Sequence, residues 1–248
     1  MGLVGSGRRQ PRNGQAFIVS VRVEASGSGA GEKAAADLVP AVRDAAGLAA
    51  RALREAGGRP VAVGAVFMQS AYPLPAARAL PEALSVLDDL AGSSARAGLS
   101  VTVGVALGAV WMESRGWFRS GPVAAIGDPV GRSRCLAFLA ARHGFPVLLD
   151  AAAGKAVPGA RALDLYRSPD RAAPSPLYGL ERLDPGFPAD AFNRAFAEAV
   201  SAFYGGEPTA RDALAACLAM KPGDPPTSDF MRLLDEGTRP PPPTLRWG

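Results

Sequence analysis

The side chains with chemistry to offer are few, and they do not gather. The only histidine, His143, precedes Gly144 where a helix should stop, so its imidazole is read as facing the negative end of the helix dipole. No Ser or Cys nucleophile motif accompanies it. Cys135 and Cys217 show neither a CxxC spacing nor a histidine cluster, which reads as two free thiols rather than a metal or redox centre. Asp128 stands directly before Pro129, the pairing that starts a helix with a carboxylate as its N-cap. The 27 basic and 23 acidic residues give a net charge of +4, with the arginines scattered through Ala-rich segments, a distribution that offers nucleic acid little. One run has the composition of an interface core: Val110, Trp111, Met112, Trp117 and Phe118 beside Arg115 and Arg119.

The elements that must position these residues follow from periodicity. Phe17 to Glu24 alternates, with Val19, Val21 and Val23 on one face, as a half-buried strand does. Leu38, Val42, Ala45, Ala49 and Leu53 recur at helical steps over residues 32–56, and Gly57-Gly58 stops that helix. Pro60 to Ser70 predicts two short strands around Gly64. A helix over 81–97 turns Leu84, Leu87 and Leu90 inward. A strand over 99–110 carries Val101, Val103 and Val105 and leads into an arm turning at Arg115-Gly116. Next come a helix from Pro129 to Arg142, a strand over 146–149, a short Ala-rich helix, and strands near 162–166 and 177–183. The order is an α+β pattern of the split βαβ kind. Beyond Pro185, Phe192, Phe196, Val200 and Phe203 form one helical stripe; Ala210 to Met220 and Ser228 to Glu236 predict two further helices, the hairpin of a C-terminal appendage. The expected organisation is a disordered tail over 1–14, a main domain over 15–183, the appendage over 184–236 and a Pro-rich tail over 237–248.

At 248 residues and 48% hydrophobic content the chain can bury one ordinary core and a smaller addition. No apolar run approaches the roughly 18 residues of a membrane span, and the N-terminus lacks the apolar region of a signal peptide. A cytoplasmic protein is expected.

Two stretches carry a resemblance. Val101-Thr-Val-Gly-Val-Ala-Leu-Gly-Ala-Val, followed after the arm by Ala125-Ile-Gly-Asp-Pro-Val-Gly-Arg-Ser-Arg-Cys-Leu136, resembles the class III adenylate and guanylate cyclases. The upstream series agrees in order: a first strand and glycine loop over 19–27, the Gly57-Gly58 stop, and Gly64 at a hairpin tip. Phe145-Pro-Val-Leu-Leu-Asp-Ala-Ala is similar to a later strand of that family. The resemblance implies a ferredoxin-like (split βαβ) nucleotidyl-cyclase fold with an antiparallel sheet, carrying the C-terminal helical hairpin.

It also implies that the reaction's residues are missing. The family holds two metal ions on two aspartates, activating the ribose hydroxyl and offsetting the charge of leaving pyrophosphate. The first position falls on Glu24, a vestigial metal ligand in the register that Gly27 favours, and the second on Ala65, which has no ligand atom. The base-reading lysine and aspartate fall on Val61 and Ala124, and the asparagine and arginine of the transition state on Gly131 and Cys135. Arg132 and Arg134 lie one helical step off the required face. Asp128 survives as a candidate ligand beside its reading as an N-cap.

The expectation is a catalytically inactive cyclase-type domain, regulatory or dimerising in bacterial intracellular signalling, binding no cofactor. An active enzyme making cAMP from ATP, with Mg or Mn, is the first alternative; a scaffold working through the C-terminal helices is the second. The expected partner is a second copy or another cyclase-type domain, met through Trp111, Met112, Trp117 and Phe118, with no nucleic acid and no membrane segment in this chain.

Overall fold

The structure is a computed structural model, and it describes residues 12–25, 32–64, 66–114, 123–167, 173–180, 186–239 and 241–242. The chain divides into two compact units: Met1–Val101 with Ala106–Gly131, and Thr102–Val105 with Arg132–Gly248.

In the first unit, β1 (Arg12–Ala25), β2 (Arg59–Val63), β3 (Phe67–Pro73), β4 (Leu99–Ser114) and β5 (Val123–Ile126) accompany α1 (Glu32–Glu55) and α2 (Leu80–Arg96). The strand order is β2-β3-β1-β4, with β5 paired to β4. β1 buries Val19, Val21 and Val23 as read, but it is not half-buried: Ala16 to Val21 is buried without interruption, so both faces of the strand are covered there, and the strand begins earlier than expected. Residues 12–14, assigned from composition to a tail, are strand. α1 buries Ala45, Ala49 and Leu53; α2 buries Ala83, Leu84, Leu87 and Ala91. The Gly57-Gly58 stop works through two different constraints. Gly57 has φ 82°, the left-handed C-terminal conformation. Gly58 lies under Tyr72, where an added Cβ would come within 2.5 Å of the ring. The Tyr72 hydroxyl donates to Leu53 O at 2.6 Å, binding the last turn of α1 to β3.

In the second unit, residues 102–105 of β4 continue the order β4-β6-β8-β7 with β6 (Val147–Leu149), β7 (Ala160–Tyr166) and β8 (Ser175–Leu180). The helices are α3 (Asp128–His143), of which residues 132–143 belong to this unit, α4 (Ala151–Ala156), α5 (Ala189–Gly205), α6 (Ala210–Met220) and α7 (Pro225–Asp235). The antiparallel sheet expected from sequence is mixed in one place. β4 and β6 are parallel, with Val103 opposite Val147 and Val105 opposite Leu149. The connection from β4 runs through α3, and such a helical crossover returns the chain in its original direction. Gly104 permits the approach: a Cβ there would stand 2.0 Å from Ser133 O and 2.4 Å from Ala137 N, both on the α3 backbone.

The C-terminal helices share a core with β7. Phe192, Phe196, Val200 and Phe203 of α5 pack with Leu214 and Cys217 of α6, Phe230 of α7 and Ala162 of β7. Each buried phenylalanine contributes on the order of 1.5–3 kcal/mol of transfer free energy. Inside this core lies Arg161, fully buried and bidentate to the equally buried Asp224, with Nη2 to Oδ2 at 2.9 Å. The guanidinium carbon is 4.9 Å from the Phe192 ring centroid and 5.4 Å from that of Phe196, within cation–π range.

Candidate functional site

The positions singled out by the sequence lie on β1, β2, β5 and α3. Glu24, near the end of β1, forms an ion pair with Arg22 on the same strand. Its carboxylate therefore already faces a guanidinium. Ala65 falls outside the described residues. Val61 on β2 is half-buried and packs against Ala16, Ile18, Ala71, Val110 and Val123, in a cluster that Ala125 of β5 and Val130 of α3 also join. Ala124 is half-buried and sits opposite Glu113 in the β4–β5 ladder. Gly131 and Cys135 lie one turn apart on α3, both half-buried. Burial pushes the Cys135 thiol up in pKa, while the nearby Arg134 pulls it the other way.

The first turn of α3 is held by a polar contact that sequence reasoning missed. Gln69 on β3, 3% exposed, donates from Nε2 both to Ser20 Oγ at 2.9 Å and to Val130 O at 2.8 Å. The signal that could have found it is a glutamine within an otherwise apolar strand segment. Asp128 opens α3 and is exposed, while His143 closes it before Gly144, whose φ is 68°.

Arg132, one of the two arginines beside the positions that the resemblance assigns to the transition state, is buried within the second unit. Its Nε donates to Asp150 Oδ2 at 3.1 Å. Asp150 in turn caps α4, accepting from Ala153 N at 2.8 Å. Breaking such a buried pair costs on the order of 3–5 kcal/mol, so Arg132 is committed to the fold.

Of the four interface candidates, Trp111 is 50% exposed. It faces Ile126 across the β4–β5 ladder, and Ile126 is 74% exposed. Met112 points the other way, into the cluster around Val110 and Val123. Trp117 and Phe118 lie outside the described residues. Among the described residues no group of three or more His, Cys, Asp or Glu side chains could hold a metal ion, and no helix is long and apolar enough to cross a membrane.

The fold recurs in solved structures. A bacterial light-regulated adenylyl cyclase superposes with a TM-score of 0.52 at 12% identity, over 70% of this chain and 54% of that one. The fold is that of the adenylyl and guanylyl cyclases. The adenylyl cyclase CyaB from P. aeruginosa matches with a TM-score of 0.51 at 13% identity, over 72% of this chain and 100% of that one. The catalytic core of a rhodopsin-guanylyl cyclase gives 0.50 at 11% identity, over 70% and 99%. This chain thus spans little more than half the length of the light-regulated cyclase and all of the CyaB chain. At these identities it is the cyclase fold that is shared. No protein-family model matches the sequence, and no curated protein is detectably similar to it.

Glu24, the carboxylate that the resemblance implies for the first metal position, is paired to Arg22 in the structure, and at 65, the position it implies for the second, the sequence has an alanine with no ligand atom.

Proposed function

We propose that this chain is a catalytically inactive nucleotidyl-cyclase domain whose role is to pair with a second copy, or with another cyclase-type domain, in cytoplasmic signalling. The single observation that carries the reading is the packing of Val61. Where a cyclase would aim a base-reading lysine at its purine, this chain seats a valine against Ala16, Ile18, Ala71, Val110 and Val123. Apolar atoms have replaced the hydrogen-bonding groups, and the neighbouring Ala125 and Val130 complete the same cluster. Arg132 does not substitute for the missing transition-state arginine, because its Nε is engaged by Asp150. Each lost electrostatic group is worth on the order of 10²-fold or more in rate.

The test is a turnover assay of the purified chain with ATP and with GTP, each with magnesium and with manganese, beside calorimetric titration of both nucleotides. No 3′,5′-cyclic product is expected under any condition. Cyclic product that disappears in Glu24→Ala would overturn the proposal in favour of an active enzyme with an atypical metal site.

A further inference from the structure

We draw no further inference here: the strongest candidate, the groove of about 670 Å³ between α1 and α2 lined by Leu48, Ala52, Val86 and Leu90 together with Arg51 and Asp89, is a largely apolar helix face for which nothing in the structure shows what covers it.

Discussion

Asp164, on β7, receives two donors at one oxygen: the Tyr204 hydroxyl at 2.7 Å and the Leu165 N–H at 2.7 Å. Burial raises its carboxyl to about 6, and those two hydrogen bonds hold it from going higher. In an unfolded chain the same group titrates near 3.9. The folded state therefore prefers the protonated form. Its contribution to stability is complete below about pH 4 and is lost as pH rises through about 6. A shift of this size corresponds to roughly 2–3 kcal/mol. Urea unfolding of wild type and Asp164→Asn across pH 4–8 should show the difference between them changing in that window, with the wild type gaining relative stability toward acid. A difference that stays flat with pH would contradict the assignment. Tyr204→Phe removes one of the two donors that favour the ionised form, so carboxyl NMR should find the Asp164 midpoint higher than in wild type. Asp224 runs in the opposite sense. Burial alone would raise it, but the bonds from Arg161 and Thr227, the charge of Arg161 and the bond from Lys221 outweigh burial and hold it well below the usual carboxylate range.

The α5–α7 helices depend on that second carboxylate, since Asp224 both pairs with Arg161 of β7 and caps α7 through Thr227 N at 3.2 Å. Asp224→Ala should destabilise the chain by about 3–5 kcal/mol, because it strands a fully buried guanidinium. Replacing both partners, as Arg161→Met with Asp224→Leu, should cost distinctly less, and denaturant midpoints of the single and double variants decide the point. Gly104→Ala drives a methyl into the α3 backbone and should cost at least 1–3 kcal/mol by the same measurement. Most element positions were legible because they depend on periodicity and glycine stops: the valines of β1 and β4, the α1 stripe ending at Gly57, and the phenylalanine stripe of α5. Arg161 was not, because an arginine in a strand reads as a solvent-facing residue until its partner, distant in sequence, is brought to it. The parallel pairing of β6 was hidden likewise, since an apolar triplet such as Val147-Leu148-Leu149 carries no direction. At the site, identities alone revealed that Val61, Ala65 and Ala124 cannot act as polar groups. Only packing showed that Val61 belongs to an apolar cluster and that Arg132 is engaged by Asp150.

At the scale of the whole molecule, the remaining question is what covers the β4–β5 arm. Residues directly opposite in an antiparallel ladder project from the same face, so Trp111 and Ile126 together form one exposed apolar step. The adjacent sequence adds Trp117 and Phe118 to the run. Met112, which the sequence grouped with them, is drawn into the cluster of the first unit and has less surface to offer a partner. Exposed aromatic groups flanked by arginine are the residues that most often dominate an interface. Light scattering at micromolar concentration should therefore find a dimer, and Trp111→Ala should weaken it on the order of 30-fold, the effect of losing a hot spot worth about 2 kcal/mol. Ile126→Asp should dissociate it further, by placing a charge against the same surface. Val86→Asp, at an apolar position on α2 that is also half exposed, should leave the dimer intact and serves as the control for a general loss of apolar surface. A monomeric wild type would remove the homodimer and leave pairing with another cyclase-type domain to be sought. A dimer indifferent to Trp111→Ala and Ile126→Asp but broken by Val86→Asp would move the interface from the arm to the α1–α2 face.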